Sequence, residues 1–350
     1  MMFKDISWTE LLELQAGRTI VPIDVRSPGE FENATIPGSL NIPLFDDRER
    51  AEVGTLYTQV GVEAAKERGL EIVSAKLPSL IKEFARIKED KLVFCWRGGM
   101  RSRTTATLLS LMDIYTYRLT GGYRAYRQWV VRQLETMTFR PEAVVLQGHT
   151  GTGKTHILRA LKQDGYPVID LEGMAGHRGS IFGAVGLKPR NQKMFDALLV
   201  RDLMAYQHSP YVLLEAESRR IGKVTVPPLI YDKRSRGFVV RIELPVEARV
   251  RQILKEYAPT EHAEACCQAF QRIRSKIHTP IAAEIDACLK AERYEPAVEM
   301  LLTHYYDPLY RHSSEQWDAG EHRTFVVRAK SVDEACREIR SLLDERMPGN

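Results

Sequence analysis

The stretch Ala143-Val144-Val145-Leu146-Gln147-Gly148-His149-Thr150-Gly151-Thr152-Gly153-Lys154-Thr155 reads as a short apolar strand, a glycine loop and a helix start. Gly148-x4-Gly153-Lys154-Thr155 meets the full Walker A pattern with a strand before it and helical sequence after it. Glycines let backbone N–H groups face phosphates, Lys154 neutralises their charge, and Thr155 is a candidate Mg²⁺ ligand. Gly148, Gly151, Gly153, Lys154 and Thr155 are therefore candidate diphosphate-binding residues. A strand feeding a phosphate loop also predicts α/β architecture with a parallel sheet. The second acidic element of such domains is less regular here. Val212-Leu213-Leu214-Glu215 ends in Glu, and Asp170 and Glu172 compete for the role.

Working outward, short apolar runs alternate with amphipathic stretches on both sides of this loop. Downstream, strands are expected at Ala143–Gln147, Pro167–Asp170, Tyr211–Ala216, Phe238–Leu244 and Thr324–Arg328. From Glu247 to about His304 the chain is rich in helix formers. Upstream, strands are expected at Thr19–Val25, Lys91–Phe94 and Tyr115–Leu119, and helices at Trp8–Gln15, Leu77–Ile87, Arg103–Met112 and Ala125–Thr136. A boundary near Thr138–Pro141 divides residues 1–138 from residues 139–350, and 350 residues suit two domains better than one.

A second anion loop closes the upstream half: Cys95-Trp96-Arg97-Gly98-Gly99-Met100-Arg101-Ser102, after Leu92-Val93-Phe94. A Cys at a strand end, before a glycine turn and a helix N-terminus, faces inward N–H groups and positive potential. Arg97 and Arg101 reinforce that field, and each effect stabilises thiolate over thiol. A lone Cys is usually packing material. Two Arg and two Gly within six residues, Gly98 and Gly99 among them, favour a nucleophile.

Composition narrows the classes. Hydrophobic residues are 44% and charged residues 27%, ordinary for a globular protein. No apolar run is long enough for a bilayer, and Met1–Ser7 lacks a signal-peptide core, so a cytoplasmic location without a membrane partner is expected. Five cysteines make no disulfide framework, and no Cys/His spacing resembles a structural metal site. The net charge of +4 is uninformative, but Arg219–Arg241 carries seven basic residues against Asp232 alone. Charge by itself does not separate a polyanion footprint there from a solvated loop.

Four upstream segments resemble a rhodanese domain: Asp24-Val25-Arg26-Ser27-Pro28-Gly29-Glu30-Phe31, Ile36-Pro37-Gly38-Ser39-Leu40-Asn41-Ile42-Pro43, the Cys95 loop, and Thr120-Gly121-Gly122-Tyr123. The resemblance covers roughly residues 5–135 and implies a doubly wound sheet with a Cys that carries a persulfide or perselenide. Thr35 stands where rhodaneses often have His. The Cys95–Arg101 spacing is one residue longer than in sulfurtransferases and makes a wider cup, suited to a tetrahedral phosphate derivative.

A rhodanese domain fused to a P-loop domain resembles the tRNA 2-selenouridine synthases. Asp170-Leu171-Glu172-Gly173-Met174-Ala175-Gly176-His177-Arg178-Gly179-Ser180, Leu214-Glu215-Ala216-Glu217-Ser218-Arg219-Arg220-Ile221-Gly222 and Tyr305-Tyr306-Asp307-Pro308-Leu309-Tyr310 carry this likeness in the second half. It implies a transferase that replaces the sulfur of wobble 2-thiouridine in tRNA by selenium from selenophosphate, through an S-geranylated intermediate made from geranyl diphosphate. It implies no bound organic cofactor, and a selenophosphate-supplying enzyme is a candidate partner. Cys95, Arg97 and Arg101 would handle selenophosphate, and Lys154 would lead diphosphate binding, of a prenyl diphosphate or a nucleotide. Arg178, Arg219, Arg220 and Arg236 are candidates for tRNA phosphates, and Tyr305, Tyr306 and Tyr310 for stacking on a base. The rival readings are a rhodanese-type sulfurtransferase, a P-loop kinase with a regulatory rhodanese module, and a non-catalytic RNA-binding protein.

Overall fold

In the computed structural model the described residues are 3–314 and 323–347. The chain divides into two compact units, Met1–Met137 with Asp196–Leu198, and Thr138–Phe195 with Leu199–Asn350. Both are α/β, as expected.

The first unit runs β1 (Phe3–Ile6), α1 (Trp8–Gln15), β2 (Ile20–Asp24), α2 (Pro28–Asn33), β3 (Leu40–Asn41), α3 (Asp47–Gln59), α4 (Val62–Ala85), β4 (Asp90–Phe94), α5 (Met100–Ser110), β5 (Thr116–Leu119) and α6 (Gly122–Thr136). Its five strands lie in the order β1-β5-β4-β2-β3 and every pairing is parallel. Strands buried on both faces explain the near-continuous apolar run Leu92-Val93-Phe94, each residue 0% exposed. The expected helix Leu77–Ile87 is the end of a longer one. α4 starts at Val62 and passes through Pro78, which costs one backbone hydrogen bond but sits in a helix anchored by Ile72, Val73, Leu80 and Phe84 in the core.

The second unit continues with β6 (Glu142–Gly148), α7 (Lys154–Gln163), β7 (Val168–Ile169), α8 (Leu171–Ala175), α9 (Gln192–Tyr206), β8 (Tyr211–Glu215), β9 (Arg220–Ile221), β10 (Val224–Thr225), α10 (Pro228–Ser235) and β11 (Phe238–Glu243). Then come α11 (Val246–Tyr257), α12 (Ala263–Gln271), α13 (Thr279–Lys290), α14 (Tyr294–Leu301), a π-helical turn (Leu302–Tyr306), α15 (Asp307–Ser314), β12 (Thr324–Arg328) and α16 (Val332–Arg346). Its main sheet, β12-β11-β6-β8-β7, is parallel throughout. From β6 the chain builds first towards β7 and β8, then towards β11 and β12. The loop after β6 thus lies at the point where the winding reverses, where open α/β sheets bind ligands.

Two cores serve this unit. One packs α7 and α16 on the sheet through Ile157, Leu158, Leu161, Ala335, Ile339 and Leu342. The other is helical and joins α12, α13 and α14 through Phe270, Ile285, Cys288 and Ala297. The expected helix-rich region after Glu247 is this second core. Among the described residues no helix is long and apolar enough to cross a membrane.

Candidate functional sites

Cys95 follows β4 and is 3% exposed. Its Sγ lies 3.3 Å from Ser102 Oγ, one turn into α5. The loop is held from behind by the N-terminus of α6, which follows Gly121. Tyr123 N–H donates to Cys95 O and Arg124 N–H to Trp96 O, both at 2.9 Å. Gly122 has φ +59, and a Cβ there would stand 2.2 Å from Cys95 O and 2.4 Å from Gly98 N. Only glycine allows that approach.

The strand register Asp24↔Phe94 sets Asp24 beside the loop. Asp24 and Arg26 form a fully buried ion pair, and Arg26 caps it by lying 4.5 Å over the Tyr123 ring and donating to Ala34 O at 2.7 Å. Thr35 Oγ1 donates to Asp24 Oδ2 at 2.9 Å. The residue that replaces the rhodanese His is thus part of this frame.

Of the two loop arginines, Arg101 is committed. Its guanidinium donates to both oxygens of Glu30, whose carboxyl is held below its ordinary value because Arg101 and Ser27 more than offset burial. Arg97, Gly99 and Arg101 line the rim of a cavity of about 880 Å³ that reaches Cys95. Its walls are mainly apolar, lined by Phe45, Tyr57, Leu70, Val73, Trp96 and Met100.

In the second unit, Gly151 and Gly153 adopt φ +85 and +74. A Cβ on Gly151 would lie 3.0 Å from Arg249 O on α11, so loop and helix are in backbone contact. Lys154 Nζ rests on Gly148 O at 2.9 Å, at the N-terminus of α7. Thr155 Oγ1 donates to Glu172 Oε2 at 2.6 Å. Of the three candidate acids, Glu172 therefore meets the loop threonine. Asp170 instead caps α8 through Gly173 N–H and pairs with Arg159. Glu215, fully buried at the end of β8, takes the Glu172 N–H, while its Oε1 has no partner. Burial, then Glu217, pushes Glu172 up to about 8; burial and Glu172 raise Glu215 well above the carboxylate range. No group of three or more metal-ligating side chains is set for a metal ion among the described residues.

Loop and helices are braced by side chains that the sequence patterns do not single out. Arg249 is 4% exposed, donates through Nε to Thr150 O at 2.9 Å, and grips both oxygens of Asp307. Asp307 Oδ1 is also 2.9 Å from His149 Nδ1, and the Tyr310 ring packs tilted against His149 with centroids 4.2 Å apart. Burial raises the Asp307 carboxyl, but Arg249 and His149 outweigh it and hold the group below its ordinary value.

A cavity of about 440 Å³ opens over the loop and includes Lys154, Thr155, Glu217, Arg219, Arg234 and Tyr310. The four candidate tRNA arginines do not gather in it. Arg219 lines it and Arg220 is exposed on the β9–β10 hairpin beside it. Arg178 also lines it, but its guanidinium is spent on Val185 O and Glu256 O and lies 4.5 Å over Tyr257. Arg236 precedes β11, whose first residue Phe238 pairs with Val144, at the sheet end opposite the loop; there it lines a separate cavity with Lys233 and Arg323. The tyrosine trio splits as well. Tyr306 and Tyr310 reach the cavity, whereas Tyr305 belongs to the helical core.

Residues 141–341 match the family model described as tRNA 2-selenouridine synthase AAA domain, and residues 7–128 match the Rhodanese-like domain. The chain belongs to the tRNA 2-selenouridine synthase family. A relative of that name from Bdellovibrio bacteriovorus is 33% identical, over 90% of this chain and 94% of its own length. One from Cupriavidus necator is 33% identical over 86% and 90%, and one from Hydrogenovibrio crunogenus 35% over 84% and 89%. The family match thus spans both loops, the Cys95 loop within the rhodanese-like part and Gly148–Thr155 within the AAA part.

Proposed function

We propose that this chain modifies the wobble uridine of tRNA, replacing the sulfur of 2-thiouridine by selenium through an S-geranylated intermediate. The observation that carries the reading is the presence, in one chain of this family, of a thiol loop and a phosphate loop, each at the carboxyl end of its own parallel sheet.

The chemistry divides between the loops. The P-loop holds the diphosphate of geranyl diphosphate, with Lys154 offsetting its charge. The thiocarbonyl sulfur attacks the carbon bearing the diphosphate; an S–C bond forms, a C–O bond breaks, diphosphate leaves and the base loses its N3 proton. Alkylation turns a poor leaving group into a thiol and makes C2 electrophilic. At the second loop, the N–H groups and Arg97 hold the phosphate of selenophosphate, and Cys95 handles the selenium. The selenium of selenophosphate adds at C2 and the geranyl thiol departs with a proton. Water then attacks phosphorus, the P–Se bond breaks, inorganic phosphate leaves, and the base keeps the selenium and regains its N3 proton. The broad apolar wall beside Cys95 suits an alkylated base better than a bare anion. Arg101 acts by fixing the loop through Glu30. Arg219 and Arg220 contact tRNA phosphates, and Tyr306 or Tyr310 stacks on the base. Thr155 and Glu172 are where Mg²⁺ would bind beside the diphosphate.

The test is selenation of 2-thiouridine tRNA by the purified chain with selenophosphate and geranyl diphosphate. Omitting geranyl diphosphate should leave 2-thiouridine unchanged. Selenation without it would favour a direct sulfurtransferase-type exchange.

A further inference from the structure

The cavity that reaches Cys95 has about 880 Å³, within the range of roughly 300–1,000 Å³ typical of small-molecule sites. Tyr57 on α3, Leu70 on α4 and Met100 at the start of α5 line it, and each is more than half exposed. Apolar side chains left open around a site mark a ligand-binding groove. The charged side chains that line it, Arg50, Lys66, Arg97 and Arg101, are all cationic. Glu30 holds Arg101 and lies 3.9 Å from Arg50, and Lys66 meets Glu63, which leaves Arg97 to face a ligand.

Gly54 supplies a second observation. It sits in the interior of α3 without a left-handed backbone, and an added Cβ would find nothing within 4 Å. A glycine inside a helix costs stability relative to alanine, and neither strain nor crowding calls for one here. Gly54 lines the cavity, so the missing side chain widens it. A ligand that fits this site combines an apolar body with an anionic part and presents its reacting atom at Cys95. A nucleotide with an alkyl group on the sulfur has that composition. An unsubstituted base would leave its amide edge without partners against these walls.

We infer that the cavity walled by α3, α4 and the start of α5 is the subsite for the alkyl substituent of an S-alkylated 2-thiouridine, and that Gly54 lacks a side chain in order to admit it. This rests on the reading of the Cys95 loop as the place of selenium transfer to an alkylated base. Each methylene removed from water strengthens binding about fourfold. Burial of two methylenes' worth of a long substituent therefore favours it over a methyl group by at least about 10-fold.

Equilibrium binding of anticodon stem-loop RNA to the full chain tests this, with S-geranyl- and S-methyl-2-thiouridine at the wobble position. Wild type should bind the S-geranyl RNA at least about 10-fold more tightly. Gly54→Leu, which puts a side chain into the cavity, should erase at least about fourfold of that preference, one methylene's worth. It should leave the affinity for S-methyl RNA within about twofold of wild type. It should also melt no lower than wild type, because a helix former replaces a glycine, so unfolding would not explain the loss. If S-geranyl RNA binds no tighter than S-methyl RNA, or Gly54→Leu keeps the whole preference, the substituent lies elsewhere and the inference is overturned. Conversion of the S-geranyl RNA to 2-selenouridine by selenophosphate, followed in the same samples, reports separately on the functional reading. Product without the preference overturns the inference and keeps that reading. A preference that Gly54→Leu erases, without product from wild type, supports the subsite and overturns the reading.

Discussion

Arg249 and Asp307 form a two-pronged ion pair, with N–O distances of 2.6 and 3.0 Å, that ties α11 to the start of α15 directly beneath the phosphate loop. The third donor of the same guanidinium holds Thr150 O, so the loop's shape depends on a pair fifty-eight residues apart in sequence.

Asp307→Asn should therefore destabilise the protein by about 2–4 kcal/mol, because it leaves Arg249 buried with its charge uncompensated. The pH dependence follows from the lowered Asp307 carboxyl. Stability from a depressed carboxylate is present above its unfolded value of about 4 and is lost as pH falls through the folded one. Denaturant melts of wild type and variant should differ at pH 7 and converge as pH falls from about 4 through the lowered folded value. A gap that persists in acid would mean that weaker packing, not charge, is the cause.

Gly122→Ala tests the frame of the thiol loop. The added methyl would meet Cys95 O and Gly98 N, and the backbone is left-handed there. Destabilisation of more than about 2 kcal/mol is expected, against less than about 1 for Gly17→Ala, where nothing lies within 4 Å. Equal effects at the two positions would show that the close approach is not what fixes the loop.

Removing Arg219 and Arg220 together should flatten the salt dependence of tRNA binding by about 0.7–0.9 in log–log slope for each phosphate that is no longer neutralised. Arg236→Ala should leave the slope unchanged, because that residue lies at the other end of the sheet. A reversed pattern in a salt titration would move the tRNA surface to the Arg236 face.

How much of this is legible in sequence depends on whether a feature is local. The Walker loop and the Cys95 loop are contiguous motifs, and both lie at strand ends as their flanking apolar runs predict. β12 at Thr324–Arg328 and α1 at Trp8–Gln15 are readable to the residue because each is a short, cleanly bounded pattern. α16 is absent from the expected elements, although Val332, Ala335, Cys336, Ile339, Leu342 and Leu343 have helical spacing and are buried. Pro78 suggests a helix starting near Leu77, yet core packing carries α4 straight through it. Long-range partners leave no local signal. Nothing near Arg249 points to Asp307, and nothing near Arg101 points to Glu30. The run Arg219–Arg241 reads as one basic patch because sequence proximity hides that β9, β10 and α10 intervene, burying Arg234 and sending Arg236 to the far end of the sheet.

The division of labour between the two loops is tested most directly by mass spectrometry of wobble nucleosides in tRNA from cells whose only copy of this chain is wild type, Cys95→Ala or Lys154→Ala. Wild type should yield 2-selenouridine. Cys95→Ala should halt at S-geranyl-2-thiouridine, and Lys154→Ala should leave 2-thiouridine with little geranylated product. Selenouridine at wild-type level in the Cys95→Ala cells, or 2-thiouridine without geranylated product in them, would contradict the assignment of selenium transfer to the thiol loop and geranylation to the phosphate loop.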